Sequence, residues 1–138
     1  MKSLLNVLKE QDRLRILIKE IEKDNEATKD FKSQHLNNIQ SFLKATEIPD
    51  DWRLVVGITD VVPILHRITV DFDIYSGFPG KLLMMFSVES YIYDDHKNIW
   101  IKNLNIHYKK FVFTTESYLS KEEFIDLIRV YEIIQKTK

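Results

Sequence analysis

Three stretches in the middle of the chain alternate between apolar and polar residues, and this period of two limits the fold more than any other feature. They cover residues 67–74, 82–93 and 99–109. Such alternation is typical of a β-strand that buries one face and exposes the other. The sequence therefore predicts an antiparallel meander of at least three strands.

The two connectors between these stretches, residues 76–80 and 94–98, are rich in turn-forming residues. Glycine, proline, aspartate and asparagine favour tight turns because they adopt unusual backbone angles or bond to their own backbone. We therefore interpret Asp94-Asp95-His96 as a solvated turn. A weak metal contact or a recognition tip is the alternative use of these residues.

A register can be derived from the connectors. If Tyr75 lies opposite Lys81 and Tyr93 lies opposite Ile99, the apolar residues of all three strands share one face. That face contains Ile68, Val70, Phe72, Ile74, Leu82, Met84, Phe86, Val88, Ile92, Trp100, Leu104, Ile106 and Tyr108. The same register predicts a cross-strand charge pair between Arg67 and Glu89.

The other face of the predicted sheet is mainly polar, with Leu83 and Met85 near its centre and Ile99 and Ile101 toward one end. A face that mixes acids, amides and aromatic residues suits the binding of another protein. The candidate partner-binding residues are Asp71, Asp73, Met85, Glu89, Tyr91, Tyr93, Asn103, Asn105 and His107. The alternatives are that this face is merely solvated, or that the N-terminal helices cover it.

Helices are predicted at both ends of the chain. An apolar stripe predicts two helices at about 3–24 and 28–45, or one long helix with a defect at Asp24-Asn25-Glu26. Near the other end, Ser120 and Glu123 fit a capping box before a final helical stripe. The β-forming residues at 52–58 predict an additional strand, and Pro63 predicts a bend or a sheet edge after it. Residues 111–113 either extend the third strand through a bulge or form a separate strand.

Length and composition fit one α+β domain over residues 1–138, with helices on one face of an antiparallel sheet. The chain is 44% hydrophobic and 30% charged, a composition typical of globular proteins. Its 20 basic and 21 acidic residues are interspersed, so nucleic acid is not an expected partner. No apolar run approaches a membrane span, and no export signal is recognised. We expect a cytoplasmic protein, and its many lysines hint at a bacterial or mobile-element source.

Few residues are arranged for chemistry. Three glycines cannot form a phosphate-binding loop, and the absence of cysteine excludes thiolate sites. The four histidines lack metal-ligand spacing, and His35 is predicted to pack inside the protein. Asp71, Met85 and His107 fall in one predicted cross-strand row, but Asp71 and His107 would lie about 10 Å apart there. We therefore expect no catalytic residue, metal or cofactor.

The segment Glu47-Ile48-Pro49-Asp50-Asp51-Trp52 follows a predicted helix and leads into a strand. It resembles the opening of some small bacterial immunity proteins that neutralise toxins. This six-residue resemblance implies no site residues. The leading hypothesis is a non-enzymatic immunity or inhibitor-type protein that binds another protein, one with a basic surface.

Two other functions remain open. One is a small enzyme or ligand-binding domain whose pocket lies between helices and sheet and involves His66, His107 or Trp100. The other is a homo-oligomeric structural domain that associates through its first helix, which is apolar over a wide band.

Overall fold

Helices and strands occupy most of the chain in the computed structural model, which describes residues 1–77, 80–94 and 96–136. The described helices are α1 (Leu4–Glu10), α2 (Leu14–Glu22), α3 (Lys29–Ala45) and α4 (Lys121–Lys136). The described strands are β1 (Lys2–Ser3), β2 (Glu47–Ile48), β3 (Arg53–Val62), β4 (Arg67–Tyr75), β5 (Leu82–Tyr93), β6 (His96–Tyr108), β7 (Phe111–Thr114) and β8 (Leu119–Ser120).

The main sheet is antiparallel and follows chain order, β3-β4-β5-β6-β7, while β8 also pairs with β6. This arrangement confirms the predicted α+β class and the meander. The additional strand is β3, which ends at a single 3-10 turn over Pro63–Leu65. Residues 111–113 form the separate strand β7 rather than an extension of β6. The short strands β1 and β2 form a second small sheet.

The N-terminal helical region is divided more finely than predicted. The segment 3–24 contains two helices, α1 and α2, because Asp12 adopts a left-handed backbone with φ of 57° and ends the first. The predicted break before α3 is confirmed: the Asp24 side chain accepts hydrogen bonds from the backbone N–H groups of Glu26 and Ala27, each at 2.9 Å. Thr28 then caps α3.

The capping box before α4 is also confirmed. The backbone N–H of Ser120 donates to Glu123 Oε1, and the backbone N–H of Glu123 donates to Ser120 Oγ, both at 3.1 Å. These reciprocal bonds satisfy two donors at the helix start that would otherwise lack a partner. Phe124, one turn into the helix, is fully buried.

Apolar residues of the helices pack on one face of the main sheet. Phe124 of α4 contacts Phe42 of α3 and Phe86 of β5, with ring centroids 5.9 and 4.6 Å apart, and Phe86 stacks on Phe72 of β4. These four side chains are at most 2% exposed. The N-terminal helices belong to this same core and do not cover the polar face. We call that polar side of β3 to β6 the open face.

The register between β4 and β5 differs from the predicted one by two residues over most of its length. Val70 lies opposite Val88, and Phe72 lies opposite Phe86. A shift of two leaves every side chain on its face, so the apolar face was predicted correctly even though the pairs were wrong. The predicted pair of Arg67 and Glu89 is among those errors, because Arg67 lies opposite Tyr91.

The register between β5 and β6 contains a second correction. Tyr93 lies opposite His96 and not opposite Ile99, so the connection between β5 and β6 is shorter than the predicted 94–98 loop. This shift of three residues moves each side chain in the first part of β6 to the face opposite the predicted one. Ile101 is consequently buried in the core, Ile99 packs against it, and Trp100 lies opposite Glu89 on the open face. The register changes again near Asn103, whose φ is 54°.

Beyond Asn103 the predicted faces are restored, and Leu104 and Ile106 join the core. Leu83, predicted for the polar face, is buried beside the irregularity at the start of β5. Parts of the predicted connectors, Phe78, Pro79 and Asp95, lie outside the described residues.

The apolar band of the first helical region is largely used within the chain. Leu4, Leu8 and Leu17 are fully buried, and Ile16 is 46% exposed. Little of the apolar surface required for self-association through this region is therefore available. Among the described residues, no helix is both long and apolar enough to span a membrane.

Candidate functional site

A shallow depression of about 360 Å³ lies in the middle of the open face. Four neighbouring strands form it, and each contributes side chains that point away from the core. Its side chains include Ile58 from β3, Asp71 and Asp73 from β4, Met85 and Ser87 from β5, and Asn103 and Asn105 from β6. Five of the nine predicted partner-binding residues are thus brought together here.

Two irregularities shape the depression. The ladder between β3 and β4 is interrupted between Val56 and Thr59, where Gly57 and Ile58 form a bulge. A Cβ atom at Gly57 would lie 3.3 Å from Asp71 Cβ, so glycine allows a close approach of the two strands. Ile58 is left 75% exposed at the rim. β-Bulges often redirect side chains in this way beside functional sites.

The two aspartates dominate the electrostatics of the depression. Both are half-buried, and they share a face because they are two residues apart on one strand. Ser87 Oγ donates a hydrogen bond of 2.6 Å to Asp71 Oδ1. Burial, and then the charge of Asp71, raise the pKa of the Asp73 carboxyl above its ordinary value. Within the described part of the chain, neither carboxylate forms an ion pair.

Glu89 occupies a different environment further along β5. Its side chain is fully buried, so it is not on the surface offered to a partner, unlike the expectation from the sequence. Lys102 of β6 forms an ion pair with Glu89 Oε1, and Tyr91 Oη donates a hydrogen bond of 2.6 Å to Oε2. Burial, and then this hydrogen bond, raise the pKa of the Tyr91 hydroxyl. Glu89 therefore anchors its neighbours.

A cluster of aromatic side chains lies near Glu89 on the open face. Tyr91, Asn98, Trp100 and Tyr118 line a cavity of about 450 Å³ that is more open than the aspartate depression. The rings of Trp100 and Tyr118 meet edge to face at 6.4 Å. Sequence reasoning missed this cluster because the predicted register directed Trp100 into the core, and because Tyr118 belongs to no alternating stretch.

The remaining two predicted residues lie at opposite ends of the sheet. Tyr93 is 63% exposed, and its ring contacts His66 edge to face at 5.5 Å. His107 is half-buried near the end of β6, where its backbone oxygen accepts a hydrogen bond from Tyr131 Oη. Neither lines the aspartate depression.

The predicted row of Asp71, Met85 and His107 is not formed. Asp71 lies opposite Ser87, whereas Met85 lies between Asp73 on β4 and Asn105 on β6. His107 lies opposite Val112 of β7. The register shifts described above account for all three differences.

Buried polar groups also occur between the helices and the sheet. His35 is fully buried, as predicted, and its Nδ1 lies 2.8 Å from Ser90 Oγ, which also accepts a hydrogen bond from Asn38 Nδ2. Ser90 is itself fully buried, so this serine and histidine are not positioned to meet a substrate from solvent. Among the described residues, no group of three or more acidic or histidine side chains is arranged to hold a metal ion.

Comparison with protein-family models, with curated proteins and with solved structures finds no match to this chain. The geometry of the open face is therefore the basis on which a function can be proposed.

Proposed function

We propose that this chain is a non-enzymatic protein-binding module of the immunity or inhibitor kind, and that its partner docks on the open face. One observation carries the proposal. Asp71 and Asp73 are adjacent, half-buried and without an ion-pair partner in the described chain, and exposed Ile58 and Met85 lie beside them. This combination supplies both charge and apolar contact area.

A basic side chain of the partner would relieve the electrostatic cost of this arrangement. Two neighbouring carboxylates repel each other, and partial burial removes water that would otherwise stabilise their charge. A guanidinium or ammonium group in the depression would compensate both effects, and arginine matches carboxylates through paired hydrogen bonds. We therefore propose an arginine or lysine of the partner as the group bound between strands β3 and β6.

The aromatic cluster would provide a second contact on the same face. Tryptophan and tyrosine are the residue types that most often dominate binding energy at protein interfaces. Trp100 is 38% exposed and Tyr118 is 54% exposed, so both retain surface that a partner would bury. The pairing of an acidic depression with an aromatic anchor would determine the orientation of the partner.

The proposal of a bacterial, cytoplasmic immunity-type role is supported by the resemblance at residues 47–52 and by the charge pattern of the open face. A single pocket between helices and sheet that gathers His66, His107 and Trp100 finds less support, because each of them lines a different cavity. Trp100 lines one beside α3 and the start of α4, His107 lines one beside α4, and His66 lines one beside the start of α3. The three residues therefore do not converge: His66 follows the 3-10 turn, and Trp100 lies on the open face. We therefore favour binding over catalysis.

Affinity purification from extracts of the native host tests this proposal. The wild-type chain is compared with the Asp71→Lys, Asp73→Lys variant and with a control, Glu20→Lys, Glu22→Lys. The control makes the same change in charge at two exposed acids of α2, on the helix side. We expect one stoichiometric protein with wild type and control that is absent with the open-face variant. Equal recovery of that protein with all three chains would contradict the proposal.

A further inference from the structure

Strand β7 forms one edge of the main sheet, and this edge is apolar. The sheet order ends at β7, and no strand of the described chain pairs with its outer side. Phe111 is 63% exposed, and Val112 and Phe113 are each 56% exposed. Exposed apolar edge strands invite pairing with another chain, and proteins usually protect them.

The opposite edge of the sheet is protected by irregularity and packing. A bulge interrupts β3 between Val56 and Thr59, and helices α1 and α2 pack against this strand. Strand β7 has no proline or charged residue within it. The two edges of one sheet therefore differ, and β7 is the edge available for pairing.

The backbone of β7 determines which residues would pair. Thr115 donates its N–H to the Leu104 carbonyl at 2.9 Å, so the backbone groups of Thr115 point toward β6. Because successive residues of a strand point their N–H and C=O groups in opposite directions, Phe111 and Phe113 also bond toward β6. Val112 and Thr114 present their backbone donors and acceptors outward.

We propose that two copies of this chain pair antiparallel through β7 across a two-fold axis, which continues the sheet from one copy into the other. Outward-pointing residues must pair with outward-pointing residues. One such register places Val112 opposite Thr114 of the second copy and Phe113 opposite its own counterpart at the axis. It also brings Lys110 near Glu116 of the second copy, on both sides of the axis.

The sequence is self-complementary in this register. Lys110 and Glu116 are equally distant from Phe113, both are exposed, and neither forms an ion pair within the described chain. An antiparallel two-fold contact requires this symmetry, because every contact occurs twice. Opposite charges across strands stabilise such a pair, whereas like charges destabilise it. The occupant that fits the edge is therefore a second copy of the chain.

This dimer does not depend on the proposed partner site. It uses a sheet edge, whereas the aspartate depression lies in the middle of the open face. We prefer it to a dimer formed through the first helix, because the apolar residues of that helix are mostly buried in the core.

Sedimentation equilibrium of wild type, Lys110→Glu, Glu116→Lys and an equimolar mixture of the two variants tests the proposal. We expect a wild-type dimer and about tenfold weaker association of each variant alone, because like charges meet twice. The mixture should regain wild-type association, since a heterodimer contains only opposite charges. A cooperative thermal unfolding transition in each variant would show that it is folded.

Hydrogen exchange gives a second test, which uses the wild-type chain alone and so does not depend on the folding of a variant. In the wild type, the Val112 and Thr114 amides should become protected as concentration rises, whereas the Phe113 and Thr115 amides should be protected throughout. A wild-type chain that stays monomeric from micromolar to millimolar concentration would overturn the proposal. A dimer that is insensitive to both charge variants would overturn it as well.

Discussion

His35 of α3 and Ser90 of β5 are both fully buried, and their polar atoms lie 2.8 Å apart between the helix and the sheet. This contact joins the N-terminal helices to the centre of the sheet, and Asn38 reinforces it through the same serine oxygen. Buried polar groups of this kind are costly unless they are satisfied, so they favour one relative placement of helix and sheet. His35 Nε2 has no partner among the described residues.

Acid should destabilise the protein through His35. Burial, and then the charge of His66, lower the pKa of His35 to about 4. Between that value and an unfolded-state pKa of about 6.5 the unfolded chain binds the proton more readily, so stability falls as pH decreases through this window. The loss amounts to about 3 kcal/mol.

Urea unfolding of wild type and His35→Gln at pH 7 and pH 4 measures this effect. The variant retains the other titrating groups, so the difference between the two pH profiles isolates His35. We expect wild type to lose about 3 kcal/mol more than the variant between these pH values. Parallel profiles would show that His35 binds its proton equally well in the folded and unfolded chains.

The Glu89–Lys102 pair should behave as a buried ion pair. Glu89 is fully buried and Lys102 is mostly so, with 28% of its side chain exposed. Glu89→Leu leaves Lys102 and the Tyr91 hydroxyl without their acceptor, and Lys102→Met leaves a buried carboxylate without its cation. We expect each single variant to lose about 3 kcal/mol of unfolding free energy.

A double-mutant cycle measured by chemical denaturation tests the coupling. The Glu89→Leu, Lys102→Met variant should lose clearly less than the sum of the single variants, because neither charge is then left alone. The exposed pair of Asp12 and Arg15 provides a control, for which we expect at most about 1 kcal/mol. Additive losses at Glu89 and Lys102 would contradict the ion pair.

Adjacent residues of β5 should report which face of the sheet is open. Phe86→Ala removes a ring that packs against Phe72 and Phe124, and we expect a loss of about 4 kcal/mol. Met85→Ala acts on the other face at a residue that is 39% exposed, and we expect less than about 1 kcal/mol. Thermal or urea unfolding of the two variants gives the comparison. Similar losses would mean that both faces are covered.

The fold class and the apolar face could be predicted from the sequence because the face on which a strand residue lies depends only on whether its position is odd or even. A two-residue error in the register of β4 and β5 left Val70 and Phe72 in the core. The error at the start of β6 was three residues, an odd number, so Trp100 was wrongly predicted for the core and Ile101 for the polar face. The bulge at Asn103 requires a left-handed backbone conformation, and no sequence pattern around this asparagine predicts one.

The aspartate depression was predictable in part for the same reason. Asp71 and Asp73 share a strand, so their common face follows from their spacing alone. Ile58 was missed because its exposure depends on the bulge in β3, which arises from tertiary pairing. The burial of Glu89 likewise depends on the side chains of β6 that meet it across the sheet.

Neutralising Asp73 should stabilise the free protein at neutral pH. Its pKa is raised by burial and by the charge of Asp71, so the folded chain holds the proton more tightly than the unfolded chain. Stability is therefore lost as pH rises through this range, and Asp73→Asn should remove that loss. Unfolding free energies of wild type and variant at pH 3 and pH 7 test this. An Asp73→Asn protein that is less stable than wild type at pH 7 would show that the ionised Asp73 carboxylate does not destabilise the folded chain.

The most direct test of partner binding at the open face is the dissociation constant of the captured partner for Asp71→Asn, Asp73→Asn beside wild type. This variant removes both charges with little change in shape, and Glu20→Gln, Glu22→Gln is the matched control. We predict at least about tenfold weaker binding for the open-face variant and wild-type affinity for the control. Equal affinities for all three chains would contradict partner binding through Asp71 and Asp73.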